Sequence, residues 1–352
     1  MSKKILYLIK TMDVGGAERF TLNLSTYMQS NGFETTVYSS GGIFTDLLRE
    51  KNVTYIYSDN AQKNDFISFF KIRQEIKKIL SEKEYDIIHC QHRIFVLILS
   101  TIKTGRAKII YTAHNYFDDF LQKLIKPDYA IAISPTIEKN LKSTLTISHS
   151  KISCINLGVD SPDLVPWKNR KKTDNITIGY VGRLLKEKGI LNLLQAFNTL
   201  KNHHSELRLK IVGKGPLKNE IINFVEENKL NDLITINEPL TDIDAIYKNI
   251  DILVLPTQMK EGLPISILEA MARGILVITC NSGGIGDVII NGETGIVLES
   301  GSIEEINANL DTILSNYPNL KEIIQKAKVK VTEDFSLETM LVNYNQLYKN
   351  IA

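Results

Sequence analysis

Short apolar runs alternate with amphipathic helical stretches along almost the whole chain. β-branched runs that are separated by helical periodicity are typical of parallel strands buried on both faces of a sheet. The pattern therefore predicts an α/β protein built from doubly wound parallel sheets. The runs are KILYLIK, ETTVYSS, VTYIYS, YDIIHC, KIIYTAH and DYAIAIS, followed by ITIGYVG, LRLKIVG, LITINE, IDILVLP and ILVITC.

One break interrupts this alternation. The stretch SPDLVPWKNRKKTDN has two prolines, a cluster of charges and no periodicity, so it predicts an interdomain linker. We expect a Rossmann-like domain over 1–160, a linker over 161–175 and a second Rossmann-like domain over 176–335. Two such domains would place the carboxyl ends of both sheets around a shared cleft. Ligands bind beyond those strand ends, so the loops after the strands are where we look for chemistry.

Length and charge agree with two domains. The 352 residues, 43% of them apolar, are too many for one ordinary core. The formal net charge is only +2, but residues 1–160 carry 21 Lys+Arg against 16 Asp+Glu, and the remainder carries 21 against 24. This basic excess fits an anionic membrane surface or a phosphate-bearing acceptor, and an ordinary solvated face explains it equally well.

The apolar runs are too short for membrane insertion or secretion. No run approaches the roughly 20 residues of a transmembrane helix. The first run, Ile5 to Ile9, is also shorter than a secretory segment, so we expect a cytoplasmic protein. Cys90, Cys154 and Cys280 are scattered in or beside strand-like runs, and we interpret them as reduced packing residues.

The segment EGLPISILEAMARG predicts an anion site. Pro264 suits the first position of a helix and Gly274 suits its C-terminal cap, so the helix should span about 264–273. The N–H groups of Leu263, Ile265 and Ser266 would then point out of the helix start, with the positive end of the dipole behind them. Such a terminus is best suited to phosphate.

Two acids flank this helix start. Glu261 lies just before the turn, and Glu269 lies about one turn inside the helix. Carboxylates accept hydrogen bonds from sugar hydroxyls, as an acidic residue does from ribose in dinucleotide-binding folds. In YVGRLLKEKGI, Arg183 and Lys188 follow a buried strand and can bring two positive charges to the same edge, although a solvated loop is the plainer interpretation of these two alone. A ligand with a diphosphate between two sugars would use all of these groups.

The same motifs resemble a known family. EGLPISILEAMARG looks like the E-x7-E motif of retaining glycosyltransferases with the GT-B fold. The segments YVGRLLKEKGI, KIVGKGPLKNEI and NSGGIGDVIINGETGIV resemble companion segments of glycosyltransferase family 4, as do VGGAERF, YTAHN and INLGVD. The likeness covers nearly the whole chain and suggests a bacterial surface-polysaccharide enzyme. INLGVD departs from the family, which more often has Pro-Asn-Gly before the Val-Asp pair.

This resemblance implies roles for individual residues. Arg183 and Lys188 would hold the donor diphosphate, Glu269 the ribose hydroxyls and Glu261 the transferred sugar. His114 would reach the sugar ring, which makes Glu261, His114, Arg183 and Lys188 the expected catalytic residues. The first domain would bind the acceptor, and 336–352 would form a helix that packs back on it. The remaining expected donor-binding residues are Gly15, Gly16, Leu240, Gly262, Leu263, Pro264, Ile265 and Ser266.

The implied reaction is transfer of a hexose or N-acetylhexosamine from a nucleoside diphosphate sugar, here a uridine one, with retention at the anomeric carbon. The acceptor would be a glycan or a polyprenyl-linked oligosaccharide, and no cofactor, metal or nucleic acid is expected. Contact with the inner face of the membrane is suggested by RIFVLILSTIKTGRAK and NYFDDFLQKLIKPDY, although core packing explains their apolar residues equally well. The basic residues concerned are Arg93, Lys103, Arg106, Lys123 and Lys126.

Other functions fit fewer of these residues. A glycosidase would use two carboxylates across a sugar but leaves Arg183 and Lys188 unexplained. A nucleotide-sugar epimerase of the same fold and a catalytically inactive sugar-binding subunit remain alternatives. TDIDAIYKN matches the D-x-D metal motif of the other main glycosyltransferase fold, but Thr241 and Asp242 stand where a helix N-cap is expected.

Overall fold

The computed structural model describes residues 2–162, 175–316 and 320–351. Most of the predicted linker, 161–175, lies outside this described part of the chain. Every apolar run quoted above contains a β-strand, and helices follow most of these strands. The predicted α/β class with parallel sheets is therefore confirmed.

One compact unit combines Met1–Gly158 with Leu337–Ala352. Within its described residues, seven parallel strands form one sheet. They are β1 (Lys4–Leu8), β2 (Glu34–Ser39), β3 (Thr54–Tyr57), β4 (Ile87–Cys90), β5 (Lys108–Ala113), β6 (Tyr129–Ala132) and β7 (Ile152–Cys154). Its helices are α1 (Gly16–Ser30), α2 (Thr45–Glu50), α3 (Phe66–Glu82), α4 (Arg93–Leu99), α5 (Phe120–Leu124), α6 (Pro135–Thr144) and, at the end of the chain, α13 (Leu337–Ile351).

The strand order of this sheet is β3-β2-β1-β4-β5-β6-β7. The chain therefore moves away from β1 in one direction through β2 and β3, and in the other direction from β4 onward. Crossovers between parallel strands are right-handed, so α1 and α2 cover one face while α3, α4 and α5 cover the other. Each of these helices begins at the carboxyl edge of the sheet, where the strand before it ends.

The other compact unit is Val159–Ser336. Its described residues form a six-stranded parallel sheet in the order β10-β9-β8-β11-β12-β13. The strands are β8 (Ile176–Val181), β9 (Leu207–Val212), β10 (Ile234–Asn237), β11 (Ile252–Leu255), β12 (Leu276–Cys280) and β13 (Ile296–Leu298). The helices are α7 (Ile190–Leu200), α8 (Lys218–Glu227), α9 (Ile243–Tyr247), α10 (Ile265–Ala272), α11 (Ile303–Asn316) and α12 (Lys321–Asp334).

A buried polar network joins α13 to the first sheet. His89 on β4 lies 2.5 Å from the Tyr348 hydroxyl through Nδ1 and 2.7 Å from Thr112 Oγ1 through Nε2. The Tyr344 hydroxyl lies 3.0 Å from the same Thr112 oxygen. All four side chains are fully buried. Burial lowers the pKa of His89 well below its ordinary value of 6.5, so this imidazole is neutral.

Helix α4 belongs to the core. Phe95, Val96, Ile98 and Leu99 are buried, so most apolar residues of RIFVLIL pack inside the first unit. At the opposite, amino edge of the sheet, Arg106 forms an ion pair with Asp86 at 3.0 Å. Among the described residues, no helix is both long enough and apolar enough to cross a bilayer.

Candidate functional site

Three loops at the carboxyl edge of the second sheet approach one another closely. Gly189 follows β8 with φ +75°, and a Cβ there would lie 2.3 Å from the carbonyl oxygen of Pro256, just after β11. Gly283 follows β12 with φ +64°, and its Cβ would lie 1.8 Å from the carbonyl oxygen of Glu261. Only glycine accommodates both the left-handed backbone and these contacts. The loop after β11 is therefore held between the loops after β8 and β12.

Lys188 and Glu261 meet inside this arrangement. The Lys188 ammonium contacts Oε1 of Glu261, and each residue exposes only 7% of its surface. Thr257 donates a hydrogen bond to the same Oε1 at 3.0 Å, and Gly284 N–H donates to the Glu261 carbonyl at 3.0 Å. A buried charge must be paired, so each residue makes the burial of the other tolerable. The sequence predicted both residues for the site but not their contact.

Arg183 differs from Lys188 because its side chain is exposed. Its carbonyl oxygen accepts a hydrogen bond from the Tyr180 hydroxyl at 2.8 Å. Burial raises the pKa of Tyr180, the Glu261 carboxylate raises it further, and the Arg183 guanidinium opposes both effects. Arg183 follows β8 and Glu261 follows β11, and these strands are neighbours, so both residues lie at the carboxyl edge of the sheet.

Helix α10 begins one residue later than predicted. Pro264 is the N-cap, with φ −63° and ψ 118°, rather than the first helical residue, because its extended ψ is not helical. Proline has no side-chain oxygen to cap the N–H groups of the first turn, and Gly274 has φ +69° just beyond the helix end. Gly262, Leu263 and Ser266 are buried around this start, and Ile265 is half-buried. The terminus has the geometry of an anion site.

Glu269 is buried on α10 at 4% exposure. The Tyr247 hydroxyl lies 2.9 Å from Glu269 Oε2 and 3.1 Å from the Ser266 carbonyl oxygen. Arg273 lies over the Tyr247 ring, with its guanidinium carbon 5.6 Å from the ring centroid. Tyr247 thus fixes the orientation of the carboxylate, and the sequence analysis missed it because no motif links it to a helix 22 positions away.

Both acids of the D-x-D look-alike, Asp242 and Asp244, make structural hydrogen bonds. Asp242 caps α9 by accepting hydrogen bonds from the N–H groups of Asp244 and Ala245 at 2.9 and 3.2 Å, as the sequence predicted. Asp244 accepts bonds from Nε and Nη2 of Arg273 at 2.9 and 2.7 Å. In the described part of the chain, no three His, Cys, Asp or Glu side chains are grouped to hold a metal ion.

Leu240 lies after β10 and exposes 40% of its surface. The neighbouring Glu238 forms an ion pair with Lys218 at the start of α8. In the loop after β9, a Cβ at Gly213 would lie 2.0 Å from the Gly182 carbonyl oxygen, and one at Gly215 would lie 2.5 Å from the Leu184 carbonyl oxygen. The loops after β8 and β9 are therefore packed backbone to backbone.

The predicted residues Gly15, Gly16 and His114 belong to the first unit. Gly15 is the N-cap of α1, and a Cβ there would lie 2.2 Å from a carboxylate oxygen of Glu18. His114 follows β5, and its Nε2 lies 2.8 Å from Gln91 Oε1. Burial lowers the pKa of His114 to about 3, so the ring is neutral.

In this neutral ring the amide oxygen of Gln91 selects the tautomer with the proton on Nε2. Nδ1 of His114 is then an acceptor. Gln91 was not predicted from the sequence, because its contact with His114 depends on β4 and β5 lying side by side.

Two family models match consecutive parts of the chain. Residues 14–161 match "Glycosyltransferase Family 4" and residues 163–330 match "Glycosyl transferases group 1". Each match falls on one of the two sheet-bearing units, and together they span most of the sequence. The chain belongs to the GT-B glycosyltransferases.

Individual relatives of the chain are also glycosyltransferases. An uncharacterized glycosyltransferase of Haemophilus influenzae is 24% identical over 351 residues, covering 96% of this chain and 98% of the relative. The capsular polysaccharide biosynthesis glycosyltransferase CapM of Staphylococcus aureus is 27% identical over 233 residues, 62% of this chain and 60% of CapM.

Among solved structures, Anabaena HepE in complex with UDP and glucose superposes on the glycosyltransferase with a TM-score of 0.79. It shares 17% sequence identity, and the superposition covers 99% of this chain and all of the HepE chain. At this identity the likeness establishes the fold. The predicted fold of two Rossmann-like domains is confirmed.

Proposed function

We propose that this glycosyltransferase transfers a hexose or N-acetylhexosamine from a UDP-sugar to a glycan or polyprenyl-linked oligosaccharide in cell-surface polysaccharide synthesis. The role of CapM in capsular polysaccharide biosynthesis and the UDP and glucose in the HepE complex support this substrate class. The anomeric configuration would be retained, as the E-x7-E resemblance implies. The enzyme would act in the cytoplasm, at the inner face of the cell membrane where a lipid-linked acceptor is available.

The buried pair of Lys188 and Glu261 beside the start of α10 is the observation that carries the proposal. Cleavage of a sugar–phosphate bond develops negative charge on the diphosphate and positive charge on the sugar ring. A fixed ammonium and a helix N-terminus stabilise the negative charge on the diphosphate. A fixed carboxylate stabilises the positive charge on the sugar ring. Each 1.36 kcal/mol of such differential stabilisation gives about tenfold in rate.

The other residues complete the donor site in this proposal. Arg183 is exposed and would contact the outer face of the diphosphate. The Glu269 carboxylate, oriented by Tyr247, would accept hydrogen bonds from the ribose hydroxyls. Leu240 and the backbone from Gly262 to Ser266 would contact the remainder of the nucleotide. In the first unit, Gly15 and Gly16 would allow the backbone to approach the donor closely. The neutral His114 would accept a hydrogen bond from a sugar hydroxyl through Nδ1.

Catalysis would need no metal ion. Asp242 caps a helix and Asp244 binds Arg273, so both acids of the D-x-D look-alike have structural partners. The cationic groups named above would neutralise the leaving group instead. Transfer measured in EDTA should equal transfer measured in Mg²⁺ or Mn²⁺. Activity that requires the divalent ion would contradict this part of the proposal.

A panel of nucleotide sugars tests the proposal. Each is assayed for protection against thermal unfolding and for release of nucleoside diphosphate, with and without glycan acceptors, using the wild type, Glu261→Gln and Glu269→Gln. A ligand at 100 times its Kd adds about 2.7 kcal/mol of stability, so binding is measurable without the acceptor. We expect a UDP-sugar to protect the wild type, and Glu261→Gln to bind it but to transfer poorly.

The same panel distinguishes the alternatives. A change of sugar configuration without transfer would indicate an epimerase. Protection by a UDP-sugar, with no turnover on any acceptor and no effect of Glu261→Gln, would indicate a sugar-binding subunit. Protection by no nucleotide sugar would contradict the proposed donor site.

A further inference from the structure

The first unit exposes an unusual group of apolar side chains. The three most exposed large apolar residues in the described part of the chain are Phe66, Phe120 and Ile67, at 77%, 72% and 67%. Phe70 and Leu124 are 47% and 45% exposed. We call these five residues the apolar patch. Grouped exposed apolar residues mark interaction sites, whereas single exposed ones are ordinary.

One half of the apolar patch lies on the first turns of α3. Phe70 is four residues after Phe66 and three after Ile67, and residues at these spacings are neighbours on a helix surface. The rings of Phe66 and Phe70 pack edge to face, with centroids 4.8 Å apart. This half of the patch is therefore preformed, and its two aromatic rings are presented together. Further along α3, Ile72, Ile76 and Ile79 are buried, so only the beginning of this helix extends beyond the core.

The other half lies on α5, which begins at the same edge and covers the same face of the sheet as α3. Polar side chains contact both helix starts. The Lys10 ammonium donates a hydrogen bond at 2.6 Å to Oδ1 of Asn64, which lies two residues before Phe66. Arg93 binds both carboxylate oxygens of Asp119 at 2.6 Å, one residue before Phe120.

Lys10 and Arg93 follow the ends of β1 and β4, which are paired in the sheet with Leu8 opposite Cys90. The pKa of Lys10 is lowered first by burial and then by the positive charge of Arg93. Hydrogen bonds therefore join each helix start to a cation at the ends of these two paired strands. Both halves of the patch thus lie at the carboxyl edge of one sheet.

The surroundings of the patch are basic. Two acids lie beside it and are exposed, Asp65 as the N-cap of α3 and Asp118, whereas Asp119 is paired with Arg93. Cations outnumber them, since the exposed lysines around the two helix starts are Lys63, Lys71, Lys123 and Lys126.

This composition favours a lipid surface over a protein partner. Lysine is depleted at protein–protein interfaces, even though aromatic residues are enriched there. Apolar and aromatic side chains next to lysines are instead typical of surfaces that lie on membranes, with the rings at the headgroup level and the ammonium groups on anionic lipids. Lysine stems also extend along apolar surface while the charge stays at the headgroups.

We propose that the apolar patch and its lysines form a binding surface for anionic membranes. Phe66, Ile67, Phe70, Phe120 and Leu124 would enter the headgroup region, and Lys63, Lys71, Lys123 and Lys126 would contact anionic headgroups. This surface keeps the segment NYFDDFLQKLIKPDY that the sequence suggested, with Lys123 and Lys126. The start of α3 replaces the other suggested segment, because most of α4 is core and Arg106 lies at the opposite edge of the sheet. Membrane binding here needs no donor or acceptor, so it stands or falls separately from the transfer reaction.

Sedimentation of the full chain with vesicles tests the proposal. Vesicles of phosphatidylcholine alone and of phosphatidylcholine with phosphatidylglycerol are compared at low and high salt, without nucleotide sugar. We expect binding only to the anionic vesicles, weakened by salt. The double variant Phe66→Ser, Phe120→Ser should lower partitioning at least about tenfold, because both rings leave the interface. Lys123→Glu with Lys126→Glu should lower it mainly at low salt.

Matched controls come from the second unit. Ile290 and Val329 are 44% and 48% exposed and lie outside the patch, so Ile290→Ser with Val329→Ser should bind vesicles like the wild type. All substituted residues are exposed, so thermal midpoints should stay close to that of the wild type.

Equal vesicle binding by the wild type and the Phe66→Ser, Phe120→Ser variant would overturn the proposal. A change in molar mass by light scattering in that variant, with no change in vesicle binding, would also overturn it and would assign the patch to contact between copies of the chain.

Discussion

The ammonium group of Lys188 contacts the Glu261 carboxylate in a part of the second unit where each residue is 93% buried. The sequence alone suggested that Lys188 binds a phosphate and Glu261 a sugar. Their direct contact means that each holds the other in place before any ligand arrives. A site organised in this way needs little rearrangement to stabilise new charge.

Replacement of Lys188 by Met should cost both stability and activity. Glu261 would be left as a buried charge with Thr257 as its remaining hydrogen-bond donor, so the free energy of unfolding should fall by about 3–5 kcal/mol. Urea unfolding and transfer assays measure the two losses separately.

The double variant Lys188→Met, Glu261→Gln separates these effects. Removal of both charges should recover most of the stability, since Gln still accepts from Thr257, while transfer stays low. Transfer at the wild-type rate in this double variant would refute the proposed role of the pair.

Tyr247→Phe should weaken donor binding. The change removes the hydroxyl that lies 2.9 Å from Glu269 Oε2 and leaves the ring in place. The loss of one buried hydrogen bond to a carboxylate should raise the KM for the nucleotide sugar about tenfold, with a smaller effect on kcat. Tyr85→Phe is a matched control in the first unit, because it removes a buried hydroxyl that contacts Thr36. Equal KM values in the two variants would argue against an orienting role for Tyr247.

A pair of glycines tests the clamping of the loop after β11. Gly283→Ala and Gly292→Ala both place a side chain at positive φ, +64° and +75°, so they share the same backbone strain of about 1 kcal/mol. Only at Gly283 would the new Cβ meet the Glu261 carbonyl, whereas nothing lies within 4 Å at Gly292. Donor KM should therefore rise in Gly283→Ala and stay near the wild-type value in Gly292→Ala. Similar kinetics in the two variants would mean that this contact does not position Glu261.

Stability should fall in mild acid because of neutral histidines in the first unit. Burial, and to a smaller extent the charges of Lys10 and Arg93, lower the pKa of His92 from its ordinary 6.5 to about 3. Between these two pH values the unfolded chain binds a proton that the folded chain does not. Stability is therefore complete above pH 6.5 and decreases as the pH falls toward 3.

The variant His92→Asn isolates one such group. Asparagine can still accept the hydrogen bond from Ile94 N–H that caps α4, but it does not titrate. Between pH 6 and 5 this variant should lose about 1 kcal/mol less unfolding free energy than the wild type. An unchanged slope would place the acid sensitivity elsewhere.

The elements were largely predictable because buried parallel strands leave a strong local signal. Every quoted apolar run contains a strand. The sequence analysis missed β7 (Ile152–Cys154) and β13 (Ile296–Leu298), because each strand has only three residues, too few to show a pattern. The start of α10 was placed one residue early because Pro264 suits both the N-cap and the first helical position.

The contacts within the site were less predictable. Lys188 meets Glu261 because β8 and β11, distant in the sequence, are neighbours in the sheet. Tyr247 meets Glu269 because α9 and α10, the helices on either side of β11 in the sequence, pack together. Strand order leaves no periodic signal in the sequence. Loop chemistry could therefore identify the acids and cations, whereas their partners required the fold.

The central claim is that a diphosphate binds where α10 begins beside Lys188, with Glu269 holding the attached ribose. A crystal structure of the chain with bound UDP is its most direct test. We predict phosphate oxygens within about 3 Å of the N–H groups of Ile265 or Ser266, and a ribose hydroxyl on the Glu269 carboxylate. UDP bound elsewhere, with this helix start vacant, would contradict the account.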